Sequence, residues 1–347
     1  MEVCFLSWES QLTKERSAVS GMSSEQRKYC EGVFNYMSSG TESSLYRNGR
    51  VLMHRDPAGN TAGTTGIDVV PHTLRVQNAR LINDAERPTC EQNGFELVIH
   101  PLRNGTLDFM EHGQVVTTYY EECESIVNEA TGAKAYAFDH NVRSASGKEQ
   151  KQTITGGQQV QGPAHLIHGD YTLRAAPDRL RQLIQLPSGN DTLLDMLPEG
   201  ESLIKPDDAV QALSGDSRYA IINVWRNIAA EPVATHPLAL CDSHTVEPED
   251  LVVFEIHYPD RIGENYFAKH SSRHRMYYYP DMTRDEVLLI KQWDSAGSLA
   301  QSKGAKGDVE NAPGPCTFSF HSAFKDASTP ECAPDRWSIE VRCMVLY

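Results

Sequence analysis

The sequence predicts a mainly β fold with flanking helices, built as an antiparallel sandwich or jelly roll. Short β runs separated by turns dominate from Ala164 to Tyr347: AHLIHGDYT, YAIINVWRNI, LALCDSHTV, LVVFEIHY, HRMYYYPDM, EVLLIKQWDS, CTFSFHSAF and WSIEVRCMVLY. They show no βαβ rhythm, which argues against a doubly wound parallel sheet. No Walker loop, dinucleotide fingerprint or Gly-x-Ser-x-Gly elbow occurs, so NTPase, nicotinamide and esterase chemistry lose their usual support.

Taken in order, residues 1–135 are expected to supply helices and strands flanking the core, and residues 136–347 the jelly-roll core, all in one domain. SSEQRKYCEGVFNYMSS reads as a peripheral helix, with Ser24 as its cap and Tyr29, Val33, Phe34 and Tyr36 as an apolar stripe. Ser43 to Asp68, rich in Gly, Thr, Asn and Arg, reads as loops. TLRVQNARLI alternates like a strand, GFELVIH follows as another, and Asn104-Gly105 marks a turn. From Val115 to Ala133, Tyr120, Cys123, Ile126 and Val127 fall at helical spacing, with Gly132 as the stop. AYAFDHNVR resumes strand character. Lys148 to Gly162 is polar and glycine-bearing, an exposed loop or flap, and APDRLRQLIQLP and PDDAVQALSG are helical pieces.

The formal charge of -15 and the lack of a basic run exclude nucleic acid as the main partner, because such binding needs a Lys/Arg surface. The longest apolar stretches, near Leu251 to Ile256 and Glu286 to Ile290, fall far short of the roughly 20 residues that span a bilayer. The amino terminus lacks a basic region followed by an unbroken apolar stretch, which makes the cytoplasm the expected location. Eight scattered cysteines without a CxxC pair read as reduced thiols.

The sharpest local pattern is His168-Gly169-Asp170. In a strand, residues i and i+2 point to one face, so this imidazole and carboxylate can reach one metal ion. His321, inside the β run CTFSFHSAF, is the best third ligand. Two histidines and one carboxylate leave open positions that suit Fe(II) with a chelating cosubstrate and O2, whereas zinc is more often enclosed or keeps one water. Arg336 and Ser338 share a face by the same period, and a guanidinium fork with a hydroxyl fits the distal carboxylate of 2-oxoglutarate. The plainer alternatives are a polar pair at a strand end for His168 and Asp170, a backbone-bonded core histidine for His321, and a surface ion pair with Asp335 or Glu340 for Arg336.

Arg226 ends the apolar strand IINVWR, where an unpaired cation would be costly, so it is a candidate for a substrate or cosubstrate carboxylate. It suggests a small-molecule substrate bearing a carboxylate, such as an amino acid or terpenoid acid. Alternation puts Asn223, a second candidate substrate contact, on the opposite face from Arg226. Lys291 shares the ambiguity of Arg226. His270 and His274 would chelate a metal only if helical, and the run Tyr277 to Tyr279 reads as packing.

With these residues in hand, the chain resembles the fungal hydroxylase/desaturase family that includes gibberellin desaturase, grouped with the iron and 2-oxoglutarate oxygenases. The likeness runs from about Thr73 to Arg342 through NGFELV, TGAKAYAFDHNVR, HGDYT, INVWRNI, HPLALCDS, HRMYYYPDM, LLIKQWDS, HSAF and RWSIEVR. It departs at Asn227, where the family commonly has proline, and at Trp337, where a polar residue is usual. The resemblance implies a double-stranded β-helix core, iron at His168, Asp170 and His321, and 2-oxoglutarate at Arg336 with Ser338. It further implies secondary-metabolite biosynthesis, in which a dioxygenase hydroxylates, desaturates or cyclises a small substrate while 2-oxoglutarate and O2 become succinate and CO2. The rival readings are a zinc-dependent hydrolase on the same triad and a non-catalytic jelly-roll binding protein.

Overall fold

Strands that are apolar on both faces must be covered on both sides, and Tyr219–Asn227 and Glu286–Asp294 are buried at every position. The computed structural model describes residues 28–56, 61–189, 191–259, 261–301 and 314–347, and puts these two strands inside a five-stranded antiparallel sheet. With strands numbered along the chain, its order is β5 (Phe95–Ile99), β13 (Glu286–Asp294), β8 (Tyr219–Asn227), β16 (Ser338–Leu346) and β6 (Lys134–Arg143).

A second sheet of eleven strands faces it. Its order is β15 (Lys325–Asp326), β1 (Tyr29–Met37), β4 (Val69–Asn78), β12 (Met276–Tyr278), β9 (Leu238–Cys241), β14 (His321–Ala323), β7 (His168–Gly169), β11 (Ile262–Ala268), β10 (Leu251–His257), β2 (Leu52–Arg55) and β3 (Thr61–Thr65). The fold is thus mainly β with a jelly-roll core, as the sequence predicts. Between the sheets Phe34, Tyr36 and Tyr266 pack against Phe138, Ile221 and Met344. Each such side chain is worth about 1.5–3 kcal/mol on full burial.

The outer face of the smaller sheet, with Ile222, Val224, Val341 and Val345, is covered by helix α1 (Tyr120–Thr131) through Cys123, Ile126 and Val127. A π-helical turn over Val115–Tyr119 leads into α1. Gly132 ends it in the left-handed conformation (φ 69°) that glycine adopts without steric cost. Helices α2 (Ala175–Leu183) and α3 (Pro206–Ser214) bury Leu180, Leu183, Ala209 and Ala212 against the main core.

The expected amino-terminal helix is a correction. Ser24 lies outside the described residues, and Tyr29–Met37 is strand β1, with Gly32, Phe34 and Tyr36 buried while Glu31 and Val33 are exposed. Nine antiparallel register pairs with β4 override the local helical spacing. Ser43 to Asp68 also holds more than loops, since β2 and β3 form an antiparallel pair there. Strand β11, absent from the predicted runs, pairs with β7 and so supports His168. Lys148 to Gly162 is a loop, yet Ile154 and Val160 pin it into the apolar layer under α1.

Candidate metal centre

His168 and His321 face each other because β7 and β14 are antiparallel neighbours with these residues directly opposite. Opposite residues share a face, and the two imidazole centroids are 4.4 Å apart. Asp170, two residues past His168, returns to that face. One ligand atom from each of the three lies within 4.8 Å of the others, and among the described residues no other such cluster of metal-ligating side chains forms. Gly169 points the other way, where a Cβ would sit 3.0 Å from the Phe318 ring.

Each histidine presents one nitrogen. Nδ1 of His168 donates to the Leu166 carbonyl at 2.8 Å, and Nδ1 of His321 lies 3.5 Å from the Ser319 carbonyl. Both Nε2 atoms are left to ligate, with the ring orientations fixed from behind. Burial, then the charge of His321, pushes the His168 pKa down to about 4, and burial likewise lowers His321, so both rings are neutral and metal-ready at neutral pH. Burial alone would raise the Asp170 carboxyl, but Arg342, His321, His168 and Asn223 hold it well below the usual carboxylate range. Its Oδ2 accepts from Asn223 Nδ2 at 3.1 Å and Arg342 Nε at 3.3 Å, while Oδ1 faces His168 Nε2 at 3.6 Å.

The expected cosubstrate anchor is built on the next stretch of chain. Arg336 is 2% exposed and Ser338 1%, so the surface ion pair weighed for Arg336 is excluded by burial. The Arg336 guanidinium donates to the His236 carbonyl and stands 5.7 Å from the Trp225 ring, with no carboxylate in contact among the described residues. Its Nε and the Ser338 hydroxyl have no hydrogen-bond partner among the described residues. Burial, then neighbouring Arg143, pushes its pKa down to about 9, against a smaller opposing pull from Asp335 and Glu340. Two orphaned donors two residues apart on one stretch of chain fit a ligand carboxylate.

Other candidates fall away. Arg226 lies on the outer face of β8, where it donates to Tyr119 Oη (2.9 Å), Glu122 Oε1 (2.8 Å) and the carbonyls of His100 (2.8 Å) and Arg284 (2.5 Å). The ligand role suggested for it is therefore corrected to a structural one, because α1 supplies its counter-ion. Asn223 does face the metal side, but grips Asp170. Lys291 is neutralised by Asp294 at 2.9 Å and Glu91 at 3.3 Å. His274 bonds Tyr36 and Asp250 while His270 stacks on His72, which makes that pair part of an aromatic cluster. Asn227 staples the turn after β8 through the Glu231 and Met282 carbonyls, and Trp337 packs into the apolar layer under α1, so neither departure touches the triad.

Sequence reasoning missed Arg342 and Gln292, which bonds the Asp170 N–H at 3.1 Å. The signal for Arg342 was present, a cation in the apolar strand SIEVRCMVLY, of the kind that singled out Arg226.

A family model described as an oxidoreductase/YMDC permease-like domain matches residues 34–346. No helix among the described residues is long and apolar enough to cross a membrane. The Fe(II)/2-oxoglutarate-dependent dioxygenase nvfI of Aspergillus novofumigatus is 30% identical over 92% of this chain and 97% of its own length. The chain belongs to this oxygenase family. The hydroxylase/desaturase efuI of Hormonema carpetanum is 28% identical to this oxygenase over 83% of the chain and 88% of its own. An uncharacterised protein in the dcmA 3′ region of Methylophilus leisingeri is 43% identical over 57% of the chain and 90% of its own. The solved structure of the iron and alpha-ketoglutarate-dependent endoperoxidase NvfI shares the fold, with a TM-score of 0.67 at 23% identity over 92% of this chain and 98% of that one.

Proposed function

We propose that this oxygenase oxidises a C–H bond of a small biosynthetic molecule, with iron held by His168, Asp170 and His321 and 2-oxoglutarate anchored by Arg336 and Ser338. The observation that carries the reading is the pair of buried donors on Arg336 and Ser338 that lack a hydrogen-bond partner among the described residues. Two imidazoles and one carboxylate fit Fe(II) and leave positions for a chelating keto acid and O2. Bound there, iron with 2-oxoglutarate and O2 would supply the oxidation, releasing succinate and CO2. The protein's own part is to hold the ligand nitrogens neutral, fix the carboxylate and keep the pocket dry.

A carboxylate-bearing substrate, such as an amino acid or terpenoid acid, is the narrower reading. With Arg226 excluded, its support moves to Arg143, which shares the inner face with Ser338 by register and whose guanidinium, among the described residues, bonds only the Gly162 carbonyl at 3.1 Å. The seven described cysteines are all free, in keeping with a reducing compartment such as the cytoplasm.

The test is anaerobic loading of the apoprotein with Fe(II) and 2-oxoglutarate, watching for the visible charge-transfer band of the chelate. The wild type should show it and turn over 2-oxoglutarate to succinate; His321→Ala should lose the band, iron retention and turnover together. A His321→Ala protein with full activity would sink the assignment.

A further inference from the structure

We propose that Arg342 is a positioning residue that, helped by Asn223, holds Asp170 as a one-oxygen metal ligand; this rests on the triad reading above. Asp170 follows a strand of only two residues, so β7 alone does little to fix its side chain. The grip comes from across the sandwich, where Gln292 on β13, Asn223 on β8 and Arg342 on β16 all bond it. Arg342 and Asn223 are directly opposite in the β16/β8 register, and both donate to Oδ2. That leaves Oδ1, the atom beside His168 Nε2, as the oxygen presented to the metal. Were Asp170 to chelate with both oxygens, it would take up a position that the keto acid or O2 needs.

Arg342 is itself immobile. Its Nη1 donates to Asp139 Oδ2 and its Nη2 to Glu340 Oε1, each at 2.9 Å, and Asp139 is held in turn by Thr192 Oγ1 at 2.5 Å. A guanidinium committed to three carboxylates has no fork to offer a substrate, which separates it from Arg336. Outer partners of this kind typically set metal affinity by 10–100-fold.

The experiment uses Co(II) as probe on the apoprotein, reading affinity by competition with a chelator and geometry by the visible spectrum. Arg342→Gln with Asp139→Asn removes one cation and one anion together, so charge balance is kept. This double variant should bind Co(II) roughly 10–100-fold more weakly and with a changed spectrum. If the double variant does not fold, Arg342→Lys carries the test, since lysine keeps the charge without the fork. A folded variant with wild-type affinity and spectrum overturns the proposal. Wild-type protein that binds no more Co(II) than His168→Ala would overturn the triad reading instead, and the proposal with it.

Discussion

Arg226, on β8, and Arg336, two residues before β16, are both buried, 0% and 2% exposed, and they mean opposite things. On the outer face, Arg226 meets a carboxylate, a tyrosine hydroxyl and two carbonyls. Two residues before β16, Arg336 meets a carbonyl and an aromatic face, with its Nε unpartnered among the described residues. The first is a closed account of hydrogen bonds inside the fold. The second keeps a buried donor unpartnered and has no carboxylate in contact among the described residues, which is costly for a folded chain unless a ligand answers it. Burial therefore does not identify a ligand-binding cation; the tally of its partners does.

Methionine at each position separates the two roles. Arg226→Met should lower stability by about 3–5 kcal/mol in a denaturant titration, because the buried Glu122 loses its arginine counter-ion. Its 2-oxoglutarate affinity should not change in the protein that remains folded. Arg336→Met should do the reverse, weakening 2-oxoglutarate by about 2–5 kcal/mol in an anaerobic titration. The same variant should hold or raise the unliganded melting temperature, because an uncompensated buried cation is gone. A destabilised Arg336→Met protein with intact cosubstrate affinity would collapse the contrast. Ser338→Ala sharpens it at the smallest scale: loss of one hydroxyl should cost about 0.5–1.5 kcal/mol of 2-oxoglutarate affinity with little change in unfolding.

The HxD pair and the proposed anchor could be suggested from sequence because period 2 along a strand is local. His168 with Asp170, and Arg336 with Ser338, share faces whatever the strands pair with. The same rule placed Asn223 and Arg226 on opposite faces of β8, but could not say that α1 brings Glu122 to Arg226. Arg342 stayed unread for a related reason. Its meaning lies in Asp170 and Asp139, which are 172 and 203 residues away along the chain.

By itself, then, the sequence determined the β texture, helices α1 to α3, the HxD ligands and the paired donors at Arg336 and Ser338, all of them properties of spacing within one element. Tertiary structure decided that Tyr29–Met37 is a strand, because β4 and not the local apolar pattern supplies its hydrogen bonds. It also decided that His321 stands opposite His168, and which buried cation is neutralised and which is left open. Strand register and charge pairing are contacts between distant segments, and no local periodicity encodes them.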